Sequence, residues 1–299
     1  MSADLPRRSL GRSGVSASAV GLGAAAVGDP AMVETDALRL LEAALDCGVT
    51  LFDAARSYGL SEERIGRALA GRRSQYLVST KVGYGVPGFE DWTGPCVAAG
   101  IDLALSNLKT DVLDVVHLHS CPLETLRRGD VVEALARAVG AGKVRVAAYS
   151  GENEPLEWAV FSGAFGSVQT SVNACDQRGV LSGLLAHARQ RGMAVLAKRA
   201  LSNEPWRAAP GAGGDSARSA YRGRWRRMAL DLAGIEPAEF AIRFTLSIPE
   251  VDTAIVGTGS ISHLAEILAA ARRGPLPPDL VEAAKQAFRE NDRGWEGQI

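Results

Sequence analysis

VLDVVHLHS (112–120), followed by VVEALARAVGAG (131–142), and VRVAAYSG (144–151), followed by EPLEWAVFSG (154–163), decide how this chain folds. Each opens as a short β-rich run and passes into a stretch whose apolar residues recur at helical spacing. VLDVVHL is apolar on both faces, the condition of a parallel strand covered by helices. Outward from this centre the alternation continues. SAVGLGA (18–24) precedes DALRLLEAALDCG (36–48), and LFDAA (51–55) precedes SEERIGRALAG (61–71). YLVSTKVG (76–83) leads into a helix predicted over about 95–107, and SVQTSVN (167–173) into LSGLLAHARQRG (181–192). MAVLAKRA (193–200) opens a longer excursion, after which PAEFAIRFTLS, TAIVGTG (253–259) and SHLAEILAAA supply helix, strand and helix. About eight strand–helix units in 299 residues favour a closed (β/α)8 barrel over an open sheet, with residues 1–299 as one domain.

Two pieces lie outside the repeat. RRSLGRSGVSASAV (7–20) has hairpin-like turn chemistry at Gly11 and Gly14 and is placed to plug the bottom of a barrel. PPDLVEAAKQAFREN (277–291) reads as an extra C-terminal helix. In the helix opening at Ser61, that serine is expected to cap the helix, with Arg64 and Arg67 facing water. GAGGDS (211–216) is the loosest stretch, inside the long loop at about 201–235.

Composition narrows the function. The chain is 46% hydrophobic and 22% charged with a formal net charge of −1, which supports a large core and provides no field for nucleic acid or an anionic membrane. No apolar run approaches the ~20 residues that span a bilayer, and MSADLPRRSL lacks the apolar stretch of a secretion signal. Cys47, Cys96, Cys121 and Cys175 are widely spaced and read as buried thiols of a cytoplasmic protein, not as a disulfide framework or zinc knuckle.

In such barrels the working residues sit at the C-terminal ends of strands and in the loops that follow. That filter leaves Asp53 and Tyr58 after the second strand, Lys81 ending the third and His119 ending the fourth. Taken singly, each has a plainer reading: a surface-loop tyrosine, a turn-capping aspartate, a core histidine. Lys81 inside the apolar run LVSTKVG is harder to dismiss, because a lysine is rarely buried without a partner. Together they make chemical sense. A phenol ordinarily ionises near pH ~10 and is a poor acid at neutral pH, and an adjacent ammonium favours its anion. A carboxylate keeps that ammonium charged, and a histidine can donate to an oxygen on which negative charge develops. These are the parts of a carbonyl reduction in which a cofactor brings hydride and the tyrosine brings the proton.

FDAARSYGLSEERIGRAL, STKVG, DVLDVVHLHS, GKVRVAAYSG, SVQTSVNACDQR and VDTAIVGTGSISHLAEIL, in this order, resemble successive signatures of the aldo-keto reductases. The resemblance runs from about Leu10 to the C-terminus. It implies a nicotinamide-dependent enzyme acting on a small carbonyl or sugar, with Tyr58 the proton donor, Lys81 and Asp53 supporting it, and His119 orienting the carbonyl. It also implies that Ser150 and Gln169 hold the nicotinamide carboxamide, that Gly23 and Ala24 line the mouth beside it, and that Gly257, Thr258 and Gly259 cradle phosphate. His263 and Glu266 would meet the adenosine end. Departures from the family are local. Lys198, in AKRA, stands where an aromatic residue often stacks on the nicotinamide. Gly257 and His263 stand where NADPH-preferring members carry basic residues, and Ile267 replaces a common asparagine. NADP(H) and NAD(H) therefore both stay open, with Arg272 and Arg273 as candidate compensating cations.

Other motifs weigh less. Gly21, Gly23 and Ala26 form part of a dinucleotide fingerprint, but Gly28 and Pro30 interrupt the helix that should follow at once. His117 and His119 point the same way on a strand, as zinc ligands can, yet the remaining histidines, His187 and His263, fall in helical stretches and no metal is expected. Arg218, Arg222 and Arg226 form a stripe opposite Tyr221, Trp225 and Met228, a solvated face over a packed one, from which one arginine could reach cofactor phosphates. Trp92 and Trp295 either line the pocket or pack. Two rival functions stay open: a redox-sensing, cofactor-binding subunit with slow turnover, as in the potassium-channel β-subunits that resemble this family, and a metal-dependent barrel hydrolase.

Overall fold

The structure, a computed structural model, describes residues 5–207 and 216–299, so GAGGDS, apart from Ser216, lies outside the described residues. Eight parallel strands close into a barrel: β3 (Val20–Gly23), β4 (Leu51–Asp53), β5 (Leu77–Val82), β6 (Leu113–His119), β7 (Val144–Ser150), β8 (Ser167–Ser171), β9 (Ala194–Lys198) and β10 (Thr253–Gly257), with β10 bonded to both β9 and β3. A helix covers each strand in turn: Glu34–Asp46, Ser61–Ala68, Gly94–Leu108, Asp130–Gly140, Asn153–Ser162, Leu184–Gln190, Pro237–Leu246 and Ile261–Arg272. Every residue of β3, β4 and β8 is buried, as strands sandwiched between barrel interior and helix layer must be. Among the described residues no helix is long and apolar enough to cross a membrane.

The hairpin β1 (Arg7–Ser9) and β2 (Ser16–Ser18) closes the N-terminal end. Leu10 and Ala17 reach inward to Leu51, Ala194, Leu196 and Ile255, which fill the lower barrel. Gly11 is required at its turn. It has φ +53°, and a Cβ there would lie 2.4 Å from the Gly192 carbonyl oxygen. The helix Pro278–Asn291 packs on the outside through Val281, Ala284 and Phe288.

Strand register brings the candidate residues to one end. Gly23 pairs with Asp53 and Asp53 with Ser79, Lys81 with His117, His119 with Ser150, and Ser150 with Gln169. Because successive strands are staggered around the barrel, residues far apart in sequence meet at a common rim.

The helix Ser61–Ala68 corrects two expectations. Ser61 does not cap it: its hydroxyl donates to the Ala55 carbonyl at 3.0 Å, tying the helix to the loop that carries Tyr58. Arg67 is half exposed and pairs with Glu34, but Arg64 is buried. Its guanidinium donates to the carbonyls of Val27, Asp29 and Met32 at 2.7–2.8 Å and to Glu34 at 2.8 Å. Helical periodicity cannot show this, because the partner is the irregular segment after β3, folded back over the helix. Arg64→Met should cost about 2 kcal/mol by orphaning these carbonyls, read as a lower urea midpoint; an unchanged midpoint would mean that water replaces the guanidinium freely.

Candidate active site

Asp53 ends β4 and Lys81 lies on β5, and their side chains meet inside the barrel rim. Lys81 Nζ donates to Asp53 Oδ2 at 2.7 Å and to the Ala54 carbonyl at 2.8 Å. Both residues are buried. Burial works against each charge, but their mutual attraction outweighs it, so the Asp53 carboxyl is held below and the Lys81 ammonium above its usual range. The ammonium lies 4.8 Å from the centroid of the Tyr58 ring. Across from it stands His119, its ring 5.9 Å from that of Tyr58 and edge-on to it. Asp53, Tyr58 and His119 open into a cavity of about 400 Å³ at the C-terminal rim, and Lys81 lies just behind them.

A second histidine sits one layer below. Ser79 Oγ donates to Asp53 Oδ1 at 2.8 Å and lies 3.0 Å from His117 Nε2. The serine proton is committed to the carboxylate, so this nitrogen of His117 is the donor. Ser79 thus carries the buried charge of Asp53 into the barrel, and His117 belongs to this packed interior layer. Among the described residues no group of three or more His, Cys, Asp or Glu is arranged to hold a metal ion.

Burial, reinforced by the cations Lys81 and Lys198, pushes His119 down to about 3, and burial pushes His117 down to about 4. Both imidazoles are neutral at physiological pH. The sign for stability follows from proton uptake. Below about 6.5 the unfolded chain protonates these imidazoles while the folded chain does not, so stability falls as pH drops from 6.5 towards 4. Urea midpoints measured across that window should decline with pH, and less steeply in His119→Gln. An equal slope in the two proteins would remove His119 as a source.

Around the rim, Ser150 Oγ donates to Gln169 Oε1 at 2.9 Å. Gln169 Nε2 is buried without a partner although the residue lines the cavity. An orphaned amide donor costs free energy unless a ligand accepts from it, and a carboxamide is a matching acceptor. Gly23 also lines the cavity, whereas Ala24 is fully buried, its N–H donating to the Asp53 carbonyl at 2.9 Å, and Ala25 takes the lining position. Backbone direction decides this: Ala24 closes the strand ladder, and the chain turns outward only after it.

Lys198 ends β9 in the cavity wall, 3.2 Å from Glu152 Oε1. Burial lowers its ammonium despite that partner. Glu152 is itself buried and accepts from Thr170 Oγ1, Ser171 N and Ser171 Oγ, each at 2.8 Å, and from Arg178 at 3.2 Å. A charged network therefore surrounds Lys198, at the position where the family often carries an aromatic residue.

A second hollow adjoins the first and shares Gly257 and Glu204 with it. Thr258, Gly259, His263 and Glu266 line it, at the N-terminus of helix Ile261–Arg272. Ser260 caps that helix, accepting from His263 N at 3.3 Å, and its free N–H groups and positive dipole end suit an anion. His263 Nδ1 lies 3.1 Å from Thr258 Oγ1, and its Nε2 lies 3.4 Å from Glu204. Arg272 donates away to the Cys47 carbonyl at 2.9 Å, and Arg273 engages Glu239. Ile267 is packed into the helix layer. Arg218 of the basic helix Ser216–Met228 does line the inner cavity, with a buried, unpartnered Nε. Trp92 packs on Tyr84 at 5.4 Å and Trp295 on Phe288 at 5.3 Å. Neither tryptophan is among the cavity-lining residues.

Sequence reading missed Glu204, which lines both hollows, and Tyr84, whose hydroxyl lies 2.9 Å from His119 Nδ1. Glu204 sits in a loop without periodicity and left no signal. Tyr84 had one: it is an aromatic residue three positions beyond Lys81 on the same strand-end loop.

Comparison with known proteins agrees with this architecture. The chain is 27% identical to L-galactose dehydrogenase of Arabidopsis thaliana over 288 residues, covering 88% of this chain and 87% of that one. It is 32% identical to 6-dehydroglucose reductase of Novosphingobium aromaticivorans over 149 residues, 46% of this chain and 49% of the other. The holo form of aldo-keto reductase AKR11C1 from Bacillus halodurans superposes with a TM-score of 0.81 at 23% identity, covering 95% and 96% of the two chains, a likeness of fold. Residues 19–288 match the model of the aldo/keto reductase family, and the chain belongs to that family.

Proposed function

We propose that this protein reduces an aldehyde or ketone with NADPH or NADH, or oxidises the corresponding alcohol or sugar, with Tyr58 as acid and base. One observation carries the reading: the Tyr58 ring stands 4.8 Å from an ammonium that Asp53 keeps charged, at the edge of a cavity shared with a neutral histidine. Membership of the family supports a nicotinamide-dependent oxidoreductase.

The residues divide the work. Gln169 Nε2 is free to donate to a carboxamide oxygen, and Ser150, donating to Gln169 Oε1, orients the Gln169 amide. A nicotinamide bound there supplies hydride in reduction and takes it in oxidation. Gly257, Thr258 and Gly259 present backbone N–H groups to phosphate, with Arg218 a cation on the same path and His263 and Glu266 further along it. Tyr58 gives its proton to the carbonyl oxygen as that oxygen gains charge. Lys81 favours the phenolate left behind, and Asp53 prevents Lys81 from losing its own charge. The polar wall, with Ser120, Lys198 and Asn203, favours a hydroxylated substrate over an apolar one. The sugar chemistry in the names of the two curated relatives points the same way.

The test is cofactor consumption by purified protein against small aldehydes, ketones and sugars, with NADPH and NADH in parallel and Tyr58→Phe as control. Tyr58-dependent consumption supports the reading and measures the cofactor preference. Tight cofactor binding with no consumption across the panel would replace it with a redox sensor.

A further inference from the structure

Because His119 is neutral, it carries one ring proton, and the nitrogen that holds it decides what the imidazole offers the cavity. With the proton on Nε2 and Nδ1 bonded to Tyr84, the ring presents a donor to a carbonyl oxygen. With the proton on Nδ1 it presents a lone pair, which repels that oxygen. The choice rests with Tyr84.

The Tyr84 hydroxyl has a single proton and two candidate acceptors, His119 Nδ1 at 2.9 Å and Ser57 Oγ at 3.3 Å. An imidazole nitrogen is much more basic than an alcohol oxygen, and here it is also nearer. The phenol ring is fixed in place for this contact. It lies nearly parallel to the imidazole, with ring centroids 5.6 Å apart and planes 23° apart, and Trp92 packs tilted against it with centroids 5.4 Å apart. The backbone N–H of Trp92 in turn donates to the Gly83 carbonyl at 2.6 Å. The indole can lie so close only because residue 83 is glycine: a Cβ there would come within 2.3 Å of it.

We propose that Tyr84 is a positioning residue that donates to His119 Nδ1 and so holds the ring as the Nε2–H tautomer, with its N–H facing the cavity. The use of that N–H on a carbonyl oxygen rests on the function proposed above; the tautomer does not.

The experiment is long-range 1H–15N correlation of the His119 ring at neutral pH, assigned against His119→Gln, in wild type, Tyr84→Phe and Ser57→Ala. Wild type and Ser57→Ala are expected to show a protonated Nε2 and a bare, hydrogen-bonded Nδ1. Tyr84→Phe keeps the stacked ring and should show mixed tautomers. Its kcat should fall in proportion to the fraction of rings left as the Nε2–H tautomer, roughly two- to tenfold for a mixed population, with cofactor Kd unchanged. A proton on Nδ1 in wild type or an unaltered tautomer in Tyr84→Phe would overturn the proposal, whereas an altered tautomer with unchanged kcat would overturn only the use of that N–H on the carbonyl oxygen. The spectra need no turnover, so the tautomer is decided even if no carbonyl proves to be a substrate.

Discussion

Tyr58→Phe should lower kcat by roughly 10³-fold while leaving cofactor Kd nearly unchanged, within the 10²–10⁴ range for loss of a positioned acid. The substitution removes one oxygen and keeps the ring, so it tests chemistry and not folding. The backbone of residue 58 is held independently of the hydroxyl. Its N–H donates to the Ala55 carbonyl at 2.9 Å, and its carbonyl accepts from Ser61 N at 3.2 Å. Gly28 presses so closely on that carbonyl that a Cβ would fall 1.8 Å from the oxygen. Steady-state rates with NADPH and NADH, beside fluorescence titration of each cofactor, separate the terms. Loss in kcat alone fits a proton donated in the transition state. Undiminished turnover in Tyr58→Phe would remove Tyr58 from the mechanism.

Glu152→Gln should cost about 3 kcal/mol, which for a chain of this size lowers Tm by roughly 6 °C. The cost arises from what stays behind: Lys198, mostly buried, loses its counter-charge, Arg178 is left with Asp176 alone, and the hydroxyls of Thr170 and Ser171 lose a strong acceptor. Burial pushes the Glu152 carboxyl up, but Lys198 and the Ser171 and Thr170 hydrogen bonds outweigh it and hold the group below its ordinary 4.5. A depressed carboxyl contributes its stabilisation above that value and loses it as pH falls through the lower, folded one. The gap between wild type and Glu152→Gln should therefore be full at neutral pH and close as the pH drops below about 4.5. Calorimetric melts over that range check both size and sign. A gap that does not depend on pH would mean that the charge of Glu152 contributes nothing.

Much of the candidate site was legible because strand ends are legible. A lysine within LVSTKVG, an aspartate closing LFD and a histidine closing VLDVVHLH are charged or polar residues in apolar runs. A chain keeps these only where partners await them. Tyr58 was readable only in combination, since a loop tyrosine by itself points nowhere. Arg64 was misread because helical periodicity describes the helix alone, while its burial depends on the segment that follows β3.

What the sequence by itself determined is the alternation: eight apolar strand runs, each followed by an amphipathic helix, a pattern that in a chain of this length favours closure into a barrel over an open sheet. It also determined which polar residues reach the C-terminal rim, since period-two direction along a strand is a local property. Only the tertiary structure decided how those residues are wired. The Asp53–Lys81 pair, the orphaned Gln169 Nε2, the Glu152–Lys198 network and the Tyr84 contact with His119 all join different strands or loops. Their geometry is set by strand stagger and by the paths of connecting loops, which are properties of the closed barrel and of no segment within it.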